Sequence, residues 1–143
     1  MGRGTTRKQP YLVFISHSAK DRWIARQVAG IIDKKGKPHG IKTFLDEKDI
    51  EGGDSIPEAI RDNLQKCSEF IVLLTPNSYS RQWVLIEIGA AWGQRKHVVA
   101  IVNQVPPTKI PNVISLDKAI DLNSLDEYIQ QLMNRARKRK GKS

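Results

Sequence analysis

One carboxylate stands out by its surroundings. Residues 80–94 read Ser-Arg-Gln-Trp-Val-Leu-Ile-Glu-Ile-Gly-Ala-Ala-Trp-Gly-Gln, and Glu87 is the only acid among them. In a helix Trp83 lies one turn before Glu87, so the two share a face. A carboxylate flanked by Leu85, Ile86 and Ile88 is partly desolvated unless it faces a cleft. Glu87 is therefore singled out, although from the helix alone a surface or cap-pairing glutamate beside a core tryptophan fits the same spacing at least as well. Ser16-His17-Ser18 add two hydroxyls and an imidazole; a turn capping the next helix would use the same residues. Asp46, Asp49, Glu51 and Asp54 crowd a segment that also holds Gly52-Gly53. Such acids suit a site or a solvated excursion, and the glycines suit a turn.

Other chemistries lack their motifs. No GxGxxG follows the first apolar run and no GxxxxGK[ST] occurs, so neither a dinucleotide loop nor a P-loop is supported. His17, His39, His97 and Cys67 lack metal-ligand spacing, and no metal is expected. A phospho-acceptor domain would want an acidic pair after the first strand and an acceptor Asp after the third. Those places hold Ser16-His17-Ser18 and Thr75-Pro76.

The elements that must position these groups alternate in type. Tyr11–Ser16 is apolar, β-branched and aromatic, a buried strand. From Lys20 the period becomes helical, with Trp23, Ile24, Gln27, Val28, Ile31 and Ile32 on one face. The stretch 34–40, rich in glycine with one proline, ends it. Ile41–Leu45 is a second strand, and 46–55 a charged loop. A helix over 57–67 opens on Pro57 and places Ile56, Ile60 and Leu64 on one face. Residues 70–74 form an unbroken apolar run, the mark of a central parallel strand. A helix over 80–94, a strand over 98–102, a Pro-rich loop over 103–113, a short strand over 118–122 and a helix over 125–137 complete the order.

Strands alternating with helices predict an α/β fold, a flavodoxin-like doubly wound five-stranded parallel sheet flanked by helices. Ligands bind such sheets beyond the carboxyl ends of the strands, near the switch in strand order. Those ends are 16–18, 46–55, 75–83 and 103–111, the segments already singled out.

The 143 residues are 27% charged and 39% hydrophobic, enough for one domain with a real core. No apolar run reaches the ~18–20 residues of a membrane span. The first ten residues lack the apolar region of a secretory signal. A single cysteine, Cys67, excludes an intrachain disulfide framework and favours a reducing, cytoplasmic setting. The net charge of +9 sits at the ends. Residues 1–9 and 135–143 read as basic tails, and 10–134, in which acids and bases balance, as the domain. A folded nucleic-acid binder would carry its excess on a face. The tail also suits the negative end of a C-terminal helix.

The segments Phe14-Ile15-Ser16-His17-Ser18-Ala19-Lys20-Asp21, Phe44-Leu45-Asp46 with Glu51-Gly52-Gly53-Asp54-Ser55-Ile56, Phe70 to Ser78, and Trp83-Val84-Leu85-Ile86-Glu87 together resemble the Toll/interleukin-1 receptor (TIR) domain, in its bacterial and plant branch. The resemblance covers 11 to about 132. It implies that 46–56 is the so-called BB loop. In the enzymatic branch it implies cleavage of NAD+ at the nicotinamide–ribose bond, with NAD+ as substrate and no separate cofactor. Glu87 occupies the catalytic position and Trp83 the ligand-contacting one. Ser16, His17, Ser18, Asp46 and Glu51 fall where the family lines its site. Relatives often carry an aromatic or basic pair after the first strand, which Ser18 does not supply.

The resemblance further implies a role in immune or anti-phage signalling and self-association with other TIR domains through 46–56, in an open head-to-tail contact. A separately encoded effector or sensor is an expected partner; a membrane is not. Two other classes compete. One is a non-enzymatic interaction module recruiting other TIR domains, which needs neither Trp83 nor Glu87. The other is nucleic-acid binding through the Arg/Lys-rich tail, which truncation of 135–143 would abolish.

Overall fold

The structure, a computed structural model, describes residues 9–45, 58–111, 114 and 118–141. Five parallel strands lie in the order β2-β1-β3-β4-β5: β1 Tyr11–Ser16, β2 Ile41–Leu45, β3 Glu69–Leu74, β4 His97–Val102 and β5 Ala119–Asp121. The order is that of the expected flavodoxin-like sheet, with its switch between β1 and β3. In register, Ile15 faces Leu45 on one side and Ile71 on the other.

Alternation along the strands divides the core in two. Val13, Ile15, Ile71, Leu73, Val99 and Ile101 point to one face, covered by α1 (Arg22–Gly36) and α4 (Leu125–Gly141). Phe14, Phe70, Val72, Leu74, Val98 and Ala100 point to the other, covered by α2 (Glu58–Lys66) and α3 (Gln82–Gly93). Every residue of β3 is buried, as a central strand between two helix layers requires.

Helix α1 departs from the expected stripe. Its buried face is Ala25, Val28, Ala29 and Ile32, while Trp23 is 72% exposed and Ile31 is also exposed. The two alanines let the helix approach the sheet closely, and this turns the large side chains at 23 and 31 outward. The helix leads through Gly36 into a tight turn. A Cβ on Gly36 would stand 2.6 Å from Ile41 Cβ, and Gly40 takes φ 71°, the left-handed region that favours glycine.

The largest difference lies at the C-terminal end. The expected helix stopped at 137 with a solvated tail from 135, yet α4 runs to Gly141. Arg135 donates Nε (2.8 Å) and Nη2 (2.7 Å) to the buried carboxylate of Glu69, which also accepts the hydroxyls of Tyr11 and Tyr128. One turn on, Arg139 donates to the carbonyl of Gln9 at 2.7 Å and to Ser68 Oγ at 3.1 Å, and stacks on the Tyr11 ring. Two bases assigned to a tail thus clasp the amino-terminal edge of the sheet. Glu69, 66 residues from Arg135, has no local signal pointing to that partner.

Cys67 is buried where α2 meets β3, and its Sγ donates to the Leu64 carbonyl. Burial pushes the thiol up to about 11, against a smaller opposing pull from Lys96. The thiolate is the reactive form. A thiol reagent at pH 8 should therefore label Cys67 only after denaturation, as titration of native and urea-unfolded protein would reveal. Among the described residues no helix is long and apolar enough to cross a membrane.

Candidate active site

Three segments converge at the carboxyl edge of the sheet, beside the switch point. The first is the end of β1. Ser16 is fully buried, and its Oγ donates to Oε1 of Glu87 at 2.6 Å. The partner arrives from α3, whose inward face is Val84, Glu87, Ile88 and Ala91. Glu87 is therefore set where an apolar residue would ordinarily pack, and it is only 2% exposed. A charged side chain is tolerated there when it is hydrogen-bonded. The 71-residue separation between the two partners is closed by the fold alone.

His17 and Ser18 follow, both buried. His17 Nδ1 lies 2.8 Å from the Ser18 carbonyl. A carbonyl only accepts, so Nδ1 carries a proton, and in the neutral ring Nε2 presents a lone pair. Among the described residues that buried Nε2 has no hydrogen-bond partner. Ser18 Oγ accepts from the Lys20 amide at 3.2 Å and caps the short turn Ala19–Asp21. Its hydroxyl keeps a donor hydrogen.

The turn ends on Asp21, which residue-by-residue reading of the sequence gave no role. Its buried carboxylate accepts Thr75 Oγ1 at 2.6 Å and Asn77 Nδ2 at 3.0 Å. Ser78 Oγ in turn donates to the Leu73 carbonyl at 2.7 Å and accepts the Thr75 amide at 2.9 Å. The loop after β1, which bears Ser16, is thereby tied to the loop after β3, which leads into α3 and Glu87. A signal existed in the spacing: Ser18 and Asp21 stand three apart at a helix start. What it could not show was that Asp21 reaches across to β3 rather than back to its own turn. Asp21→Ala should lower stability by about 1.5–3 kcal/mol, the worth of hydrogen bonds to a carboxylate. Urea denaturation would register this as a lower midpoint.

Of the expected site residues, the fold brings Ser16 and Glu87 into contact and buries His17 and Ser18 beside Ser16 in the chain. Trp83 lies in the first turn of α3, one turn ahead of Glu87. Its side chain, together with Asp46 and Glu51, lies outside the described residues. No group of three or more His, Cys, Asp or Glu placed to hold a metal occurs among the described residues.

Residues 13–134 match the TIR domain family. A curated relative, named "Probable 2' cyclic ADP-D-ribose synthase BdTIR", from Brachypodium distachyon, is 25% identical over 100 residues, 70% of this chain and 44% of its own length. The chain spans about half the length of the curated relatives it matches, 44% of one and 48% of another. Among solved structures, the TIR domain of the Toll-related receptor TRR-2 from Hydra magnipapillata superposes with a TM-score of 0.58 at 19% identity, over 92% of this chain and 98% of that one. The TIR domains of the activated Roq1 resistosome superpose with a TM-score of 0.51 at 21% identity, over 87% and 84%.

Proposed function

The chain belongs to the TIR domain family, and on that premise we propose that it cleaves NAD+ at the nicotinamide–ribose bond, with Glu87 as the catalytic carboxylate. The observation that carries the reading is the buried Ser16–Glu87 pair at the switch point of the sheet. The plant relative's printed name, a probable 2' cyclic ADP-D-ribose synthase, supports this reading.

The chemistry suits a single carboxylate. Ordinary glycosidases employ two, one to protonate the leaving group. Nicotinamide in NAD+ is already cationic and departs as a neutral ring, so no acid is needed. The bond's electron pair leaves with nicotinamide and the ribose carbon becomes electron-poor. Glu87, itself buried, stabilises that charge or holds the ribose hydroxyls. Ser16 holds one carboxylate oxygen and so fixes where the negative charge is aimed. Trp83 supplies an indole face to a ring of the dinucleotide; a cation over indole is favoured by ~0.5–2 kcal/mol. Asp46 and Glu51 complete the site from the 46–56 segment. Attack by water gives ADP-ribose and a proton. Attack by an adenine nitrogen or ribose hydroxyl of the same molecule gives a cyclic isomer.

A second feature favours association with like domains as part of this activity. The outward face of α3 is apolar: Leu85 and Ile86 are exposed, and Trp92 is 61% exposed. Such a face on the helix that carries Glu87 fits a contact between copies that supports turnover, in a signalling role alongside other proteins. Incubating the chain with NAD+ over a wide dilution series, with chromatography of the products, tests both parts. Nicotinamide should appear, with specific activity rising with protein concentration. A constant specific activity would remove assembly from the account. Folded protein that releases no nicotinamide at any concentration would leave an interaction module.

A further inference from the structure

We infer that a cleft along the edge strand β2, none of whose lining residues is Ser16, His17, Ser18 or Glu87, is a second ligand site, and that its ligand is a small nucleoside phosphate. The cleft, of about 610 Å³, lies between the edge strand β2, the start of β1, the last turns of α2 and the end of α4. That volume falls in the ~300–1,000 Å³ range of small-molecule pockets.

Its floor is apolar because of register. Lys42 and Phe44 point to the same face of β2, and their partners on β1 are Leu12 and Phe14. Helix α2 covers Phe14 and Phe70 but stops short of the edge strand. Leu12 and Phe44 are thus left half-buried, with Phe44 leaning on Phe14 at 5.2 Å between ring centroids. A planar base has there an aromatic edge and a leucine to lie against.

Its rim is cationic. Lys42 and Lys66 are exposed, and neither makes an ion pair among the described residues. Arg139 stands at the third side, its guanidinium held in place by the Gln9 and Pro10 carbonyls. Among the described residues no Asp or Glu lines the cleft. The negative end of α2 is also covered, because Lys96 Nζ donates to the carbonyls of Gln65 and Cys67 at 2.6 and 2.8 Å. Asn63 spends one amide hydrogen on the Ala59 carbonyl and keeps its own oxygen as an acceptor. Lys42 and Lys66, which no described residue pairs, favour an anion, the half-buried Phe44 selects a ring, and Asn63 offers a polar contact for the ring's edge. A nucleoside phosphate carries all three complements. The cleft shares no lining residue with Ser16, His17, Ser18 or Glu87, although Phe44 lies toward the carboxyl end of β2, beside Phe14.

The test is an NMR titration of the whole ¹⁵N-labelled chain in low salt, with adenosine monophosphate, adenosine and inorganic phosphate as separate probes. The monophosphate should give saturable shifts at the amides of Lys42, Phe44, Asn63 and Lys66. Adenosine and phosphate alone should bind more weakly. A Lys42→Ala/Lys66→Ala double variant, exposed at both positions and so expected to melt as the parent, should weaken binding about tenfold or more, two charge-assisted contacts being lost. Any of four results would overturn the site: no saturable shift into the millimolar range, shifts confined to Ser16–Ser18 and Thr75, unchanged affinity in the double variant, or phosphate binding as tightly as the monophosphate.

Discussion

A Glu87→Gln protein is expected to lose NAD+ cleavage by about 10²–10³-fold or more while melting close to the parent. The size follows from what one charge-stabilising group contributes to a transition state. The small structural effect follows from geometry. Glutamine has the shape of glutamate, and its amide oxygen can still accept the Ser16 Oγ hydrogen now given to Oε1 at 2.6 Å. The side chain remains packed with Val84, Ile88 and Ala91 on the inner face of α3. What is removed is negative charge, needed only as the ribose carbon becomes electron-poor. A variant whose melting temperature fell together with its rate would instead point to a structural role for Glu87. Nicotinamide release and thermal melting, measured on the same preparation, separate the two.

Arg135→Ala is expected to cost about 3–5 kcal/mol of stability, because it removes one partner of a buried ion pair. Glu69 is fully buried and takes two hydrogen bonds from the Arg135 guanidinium. Without the arginine its charge faces only the Tyr11 and Tyr128 hydroxyls in an apolar surround. Urea denaturation would show the midpoint fall. An Arg135→Met/Glu69→Gln double variant should recover much of the loss, since it deletes the stranded charge together with its partner. The same cluster sets an alkaline limit. Burial first, and the neighbouring Glu69 carboxylate second, push Tyr11 and Tyr128 above their ordinary value of 10.0. The folded protein thus keeps two protons that the unfolded chain releases. Their contribution is full below pH ~10 and lost as pH rises above it. Tyr128→Phe should flatten that loss in melts between pH 8 and 12.

What the sequence disclosed and what it withheld differ in kind. Strands β1 and β2 were legible to the residue, because an apolar run broken by Ser16-His17-Ser18 or by a charged loop has few other readings. Alternation pointed to a parallel α/β sheet and to the edge where a site belongs, while the strand order came with the family resemblance. Glu87 stood out as a lone acid in a Trp-, Leu- and Ile-rich helix, but that helix also has a solvated face, with Leu85, Ile86 and Trp92 exposed, and it was the family resemblance that pointed to a site. The helix-facing pattern of α1 was misread, since size and period suggested Trp23 and Ile31 while close packing chose Ala25 and Ala29. Contacts across the sheet were hidden. Neither Asp21 with Thr75 nor Glu69 with Arg135 is adjacent in sequence, and each looks like an ordinary charged residue until the fold buries it. The basic C-terminal stretch misled for that reason: its charge read as solvated, but Arg135 and Arg139 are anchors of α4.

The central claim, that the buried Glu87 carboxylate makes this fold an NAD+-cleaving one, is met most directly by a single-turnover assay. Nicotinamide released per protein molecule would be followed at high protein concentration, with wild type and Glu87→Gln side by side. The account predicts stoichiometric release from the wild type and almost none from the variant, both being folded. Equal release from the two proteins, or none from a folded wild type, would contradict it.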